Sequence, residues 1–135
     1  MTQLSTQSLW QAIYDKLASD VILMAKISGI YDPTPEGIDL PYLTIGEGSA
    51  RDWSAKNFTG QEHLLDVHIW SGLKGGGQVR DLADNVVSLL ADQKLTVTGH
   101  QLVRLEFTFF ENFFDGDGQV HHGILRFRAK TIQTV

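Results

Sequence analysis

Apolar side chains recur along the chain with two different periods. Leu9, Ile13 and Leu17 are at helical spacing, Trp10 and Tyr14 lie one position further round, and Ser5 or Thr6 stands where an N-terminal cap belongs. The spacing predicts an amphipathic helix over 5–19. Ser19-Asp20 ends it and caps a shorter helical turn over 21–26, which Gly29 stops. Residues 30–32 read as a short extended piece. Pro33, Pro35 and Pro41, with Gly37 among them, predict a loop, because each proline removes a donor and biases its predecessor away from helix. Residues 42–49 look like a strand in which Gly46 and Gly48 weaken the strand or mark a close approach.

Residues 50–61 are polar and without a clean period, so they predict a long connection or a flexible hairpin tip carrying Trp53 and Phe58. Alternation returns at 62–70, with His63, Leu65, Val67 and Ile69 on one face and Leu64, Asp66, His68 and Trp70 on the other. After the glycines of 71–78, Val79, Leu82, Ala83, Val86, Leu89 and Leu90 trace a second helix to about 92. A short strand over 95–98 and a turn at Gly99-His100 lead to a strand over 101–110, and Asp115-Gly116-Asp117-Gly118 closes a hairpin with 119–131. On regular alternation Phe107 and Phe109 share a buried face and Phe110 points the other way. The order predicts one α+β domain over 1–135, an antiparallel or mixed sheet with both helices on one face. The opposite face then carries His68, Trp70, Arg104, Arg126 and Arg128.

Charge narrows the chemistry. Eleven Lys and Arg against sixteen Asp and Glu leave a formal charge of −5, and no basic block occurs, so non-specific nucleic-acid binding has no electrostatic drive. With no cysteine there is no disulfide framework, thiolate nucleophile or zinc–thiolate site. The apolar runs at 21–25 and 86–91 are far shorter than the roughly 20 residues of a membrane span. The first seven residues lack the pattern of a secretory signal, so the chain is expected to be made and kept in a cytoplasm, or assembled there into something larger.

The catalytic motifs fail in detail. Gly75-Gly76-Gly77 has Lys74 before rather than after it, which reads as a flexible linker and not a phosphate loop. Asp115-Gly116-Asp117-Gly118 lacks the later ligands of a calcium loop and reads as a turn. His121 and His122 point to opposite faces of a strand, as do His63 and His68, while His100 falls in a turn. No metal or cofactor site is expected. A metal- or ligand-dependent enzyme using His63, His68, His121 or His122 with a carboxylate is the competing class. The unusual feature is aromatic: Phe107, Phe109, Phe110, Phe113 and Phe114 fall within eight residues, more than one sheet face can bury.

Several blocks together carry a family resemblance over nearly the whole chain. Residues 9–20 (LWQAIYDKLASD), 30–32 (IYD) and 40–47 (LPYLTIGE) resemble the tail-completion, or tail-terminator, family of long-tailed phages, prophages and phage-like gene transfer agents. So do 67–71 (VHIWS), Gly99-His100 followed by Leu102-Val103, the 115–118 turn and 122–128 (HGILRFR).

The resemblance implies a structural virion protein without catalysis, expected at the head–tail junction. It implies a homohexameric ring that ends the tail tube and meets the head connector, with DNA only as passing cargo. A head-completion adaptor or a tail-tube-related subunit is the alternative within the same particle. A closed ring needs two unlike patches per subunit. Trp53, Phe58, Trp70, Phe110, Phe113 and Phe114 are the subunit-contact candidates. Glu47, Asp52 and Glu62 are candidates to face the duct, where carboxylates repel passing phosphates. Residues 50–61 and 71–78 are expected to order on assembly.

Overall fold

A computed structural model describes residues 2–32, 36–72, 75–117 and 119–134. The elements run α1 (Thr6–Ala18), α2 (Val21–Met24), β1 (Ile30–Tyr31), β2 (Tyr42–Asp52), β3 (Gly60–Ser71), α3 (Gly77–Leu90), β4 (Thr96–Val97), β5 (His100–Asp115) and β6 (Val120–Gln133). The strands form one sheet in the order β1-β2-β3-β6-β5-β4. All neighbours are antiparallel except β1 with β2, which makes the sheet mixed. The fold is α+β, as the order of periods predicts.

The core lies between the helices and one sheet face. Leu9, Ile13 and Leu17 of α1 and Val79, Leu82, Val86 and Leu90 of α3 meet Leu43, Ile45, Val67, Ile69, Leu105, Leu125 and Phe127. The Asp20 carboxylate caps α2 by accepting from Leu23 N at 2.8 Å, as expected. Ser5 differs: its side chain makes no cap bond. Its hydroxyl instead lies 2.7 Å from His63 Nε2, 2.8 Å from Thr131 Oγ1 and 3.0 Å from Gln61 Oε1. This buried polar knot ties the start of α1 to β3 and β6, and burying those groups costs little because each is paired.

Three boundaries depart from the sequence expectation. Of the two readings of 50–61 the hairpin is the one found, and its tip is shorter than expected. β2 continues to Asp52, β3 begins at Gly60, and the tip between them is closed by Ala55 and Phe58 pairing with each other. β5 runs to Asp115 rather than ending near 110, and His100 opens it instead of sitting in a turn. The glycine run is the start of a helix and not a free linker, since α3 begins at Gly77 over the buried Gly76; Leu73 and Lys74 lie outside the described residues. α3 itself stops at Leu90, where Asp92 takes a φ of 58°.

Two β5 bulges set the remaining geometry. The register to β6 shifts between Leu102 and Arg104 and again between Phe107 and Phe109, each time by one extra β5 residue. The second shift, at Thr108, places Phe107 opposite Phe127 and Phe110 opposite Leu125, both on the helix side. Phe109 turns to the open face opposite Arg126. Phe107 and Phe109 are therefore on opposite faces, and Phe110 packs against the core beside α3, the reverse of strict alternation. At the hairpin end, Asp117 N donates to Asp115 Oδ1 at 3.1 Å, the expected turn chemistry; Gly118 lies outside the described residues.

Candidate interaction surface

Among the described residues no helix covers the second sheet face, and its side chains follow directly from the strand registers. At one end a row crosses the sheet: Tyr42 on β2 lies opposite Trp70 on β3, Trp70 opposite His122 on β6, and His122 opposite Phe113 on β5. The rings touch in sequence. Tyr31 meets Tyr42 edge-on at 5.9 Å, Tyr42 stacks on Trp70 at 6.2 Å, Trp70 stacks on His122 at 3.8 Å, and Phe113 meets His122 edge-on at 5.0 Å. Cross-strand aromatic pairs of this kind stabilise a sheet and stiffen the row. The Trp70 indole N–H donates to Thr44 Oγ1 at 3.2 Å.

His68 stands one row down and bonds His122, Nδ1 to Nε2, at 2.8 Å. Desolvation holds His68 below the usual histidine range, against the raising effect of Asp66 and Glu47. Desolvation and then the neighbouring His68 do the same to His122, opposed by Asp115. His63 is lowered by burial and by His100. The expected split holds: His68 and His122 share the open face, while His63 belongs to the knot on the helix side and His121 packs against Phe114 at 4.9 Å. Among the described residues no group of three His, Cys, Asp or Glu is placed to hold a metal ion.

Below the aromatic row the face is a ladder of charges. Arg126 bonds Asp66 at 2.9 Å, Arg51 approaches Glu62 at 2.6 Å, and Glu106 receives Arg104 at 3.2 Å and Arg128 at 3.5 Å. Lys130 lies 4.0 Å from Glu62 and 5.0 Å from the Trp53 ring centre. The bases Arg51, Arg104, Arg126, Arg128 and Lys130 match the acids Glu47, Glu62, Asp66, Glu106 and Glu111 in number. This part of the face has no net formal charge, and the chain's −5 resides on the helices, loops and hairpin tip. Arg104, Arg126 and Arg128 lie where alternation placed them.

The candidate contact residues fall into two groups at opposite ends of the sheet. Trp53 and Phe58 pack on each other at 5.3 Å in the β2–β3 tip. Trp70 and Phe113 belong to the aromatic row, Phe114 lies beyond it, and Phe110 is half-buried beside α3. Phe113 and Phe114 keep 41% and 55% of their surface exposed, which is the excess aromatic surface that the phenylalanine cluster foretold. Phe109, missed as an exposed residue, keeps 43% and lies under the Arg126 guanidinium at 5.7 Å. Of the three carboxylates, Glu62 is neutralised by Arg51 and Lys130, and Asp52 accepts from Ser54 Oγ at 2.5 Å. Glu47 is exposed at the β2 bulge.

The sheet thus carries helices on one side and a paired-charge, aromatic-rimmed open face on the other. The chain belongs to the family of the tail completion protein gp17, whose model matches residues 11–132. It is 25% identical over 126 residues to the tail completion protein gp17 of Bacillus phage SPP1, covering 93% of each chain. Its fold matches a chain in the virion of a native gene transfer agent particle with a TM-score of 0.88 and 21% identity, over 97% of this chain and 99% of that one. The structure of bacteriophage SPP1 gp17 matches with a TM-score of 0.66 and 24% identity, over 98% and 93%.

Proposed function

We propose that copies of this chain close into a ring, a homohexamer by family likeness, which ends the tail tube and joins it to the head connector of a phage or phage-like particle. The observation that carries the reading is membership of the tail-completion family over 11–132. The physical surface agrees with it. A ring requires a heterologous contact between unlike patches. The Trp53–Phe58 tip and the Phe110, Phe113 and Phe114 region, with Trp70 behind them, supply two such patches at opposite ends of one sheet. The subunit contributes shape, not catalysis, and its partners are further copies of itself, the tube protein and the connector.

The open face suits the duct. Its ion pairs neutralise one another, so it offers passing DNA no excess of cations, and the exposed Glu47 adds repulsion at the β2 bulge, whereas Glu62 is paired with Arg51 and Lys130 and Asp52, opposite the buried Gln61, falls on the helix side. Particles lacking this chain, viewed by electron microscopy, test the function directly. Tails of abnormal length or tails without heads are expected; normal-length tails joined to heads overturn the reading.

A further inference from the structure

Most of the sheet's outer edges are managed, and two stretches are not. A strand edge presents a row of backbone N–H and C=O groups that another strand can pair with, and proteins blunt such edges with cover, bulges, proline or lysine. On β5 the lower edge is covered by β4 at His100 and Gln101, by Asp92 N donating to Leu105 O at 2.7 Å, and is twisted by the bulges near Val103 and Thr108. Beyond them, residues 109–114 (FFENFF) run in regular register on β6, with no proline, no lysine, no bulge and, among the described residues, no strand on their other side. On the opposite edge, β1 covers Leu43 and Thr44, and the bulge occupies Gly46 and Glu47. Residues 48–52 (GSARD) then pair with β3 alone.

We propose that 109–114 of one copy and 48–52 of the next pair as antiparallel strands, continuing the sheet from subunit to subunit. This rests on the ring reading and names the surface that closes it. Three features select a second copy as the occupant. The two unmanaged stretches are of similar length and lie on opposite edges of the same sheet, as a head-to-tail contact requires. The four long strands β2, β3, β6 and β5 alternate in direction, and an even number keeps the joined sheet antiparallel across every junction.

The third feature is charge and register. Arg51 and Glu111 both project from the open face, Arg51 with 78% of its side chain exposed. Setting Arg51 beside Glu111 puts Ser49 beside Phe113 and brings Trp53 next to Phe109. In that register the segments held by β1 and β4 fall outside the pairing, so neither has to move.

The chain has no cysteine, which makes disulfide trapping a clean test. Directly opposed residues in an antiparallel pair have Cα atoms about 4.5 to 5.5 Å apart, within disulfide range. Ser49→Cys with Phe113→Cys places both thiols on one face; Ser49→Cys with Asn112→Cys places them on opposite faces and serves as the control. Rings are assembled on tail tubes, oxidised mildly, counted by mass and run without reductant. The expected result is a ladder of covalent oligomers up to the full ring in the first pair, and monomers in the control and in each single variant. Intact rings with no ladder in the first pair, or equal ladders in both, overturn the strand pairing and leave the ring standing. Absence of any ring, with no ladder, overturns both; a ladder without closed rings supports the pairing and overturns the ring.

Discussion

A hydrogen bond between two imidazoles needs one of them to offer a lone pair, so the 2.8 Å contact of His68 with His122 cannot survive when both rings are protonated. Both rings, and His63 in the buried knot, are held below the ordinary histidine value, in each case first by desolvation. The unfolded chain titrates near about pH 6.5. Above that pH neither state takes up protons and the stabilisation is complete. As pH falls through it, the unfolded chain gains protons that the native state resists, so stability drops until pH passes below the folded values, where the loss levels off. The expected outcome is a urea midpoint that declines from about pH 6.5 downward. His68→Gln with His122→Gln should decline less steeply, because only His63 of the three then remains. A midpoint flat over that range would show that the pair is not neutral in the fold. Little of this was legible in the chain. Alternation put His68 on the open face and His122 on the face opposite His121, but no spacing reveals that His68 and His122 share a face on neighbouring strands one row apart. Ser5 stood at a capping position, and only the convergence of Gln61, His63 and Thr131 from two strands shows why its hydroxyl goes elsewhere.

At the scale of elements, periodicity worked where the ladder is regular and failed where a residue is inserted. β3 pairs with β6 without a shift from Gly60 to Ser71, and its two faces read correctly from alternation alone. β5 holds two extra residues, and one of them, Thr108, reverses the faces of every phenylalanine after it. Nothing in a single sequence marks such an insertion, since threonine is an ordinary strand residue. Glycine gave a better signal. At Gly48 a Cβ would meet the Leu64 carbonyl oxygen, so the β2 bulge permits no side chain there, in line with the expected close approach. At Gly123 an added Cβ would lie 2.6 Å from Val79 Cγ1, where α3 rests on β6. Valine is stiff about χ1 and cannot yield cheaply. Gly123→Ala should therefore cost about 1–3 kcal/mol by overpacking the helix–sheet contact, read as a lower denaturation midpoint. Pairing it with Val79→Ala should recover part of the loss by removing the obstructing methyls, whereas a cost that merely adds to the Val79→Ala cost would place the strain elsewhere.

For the whole molecule, the distribution of charge carries more than its total. The chain carries a net −5, yet the sheet below the aromatic row is balanced, with most of its carboxylates held by arginine or lysine. Composition cannot show this, because pairing depends on which strands become neighbours. For the proposed duct-facing role the consequence is specific. Of the three candidates, Glu62 is spent on Arg51 and Lys130 and Asp52, opposite Gln61, falls on the helix side, so Glu47 has the most repulsion left to exert on a phosphate in the proposed duct. Glu47→Lys converts that repulsion to attraction once per subunit, at an exposed bulge where no core packing is disturbed. Ring assembly and head–tail joining should persist, while DNA release slows at low ionic strength and recovers as salt shortens the screening length to about 8 Å at physiological strength. Release kinetics measured across a salt series check this. A variant that releases DNA at the parental rate even at low salt would move Glu47 out of the duct, whereas a slowing that salt does not relieve would point to a steric effect of the longer side chain in place of the charge.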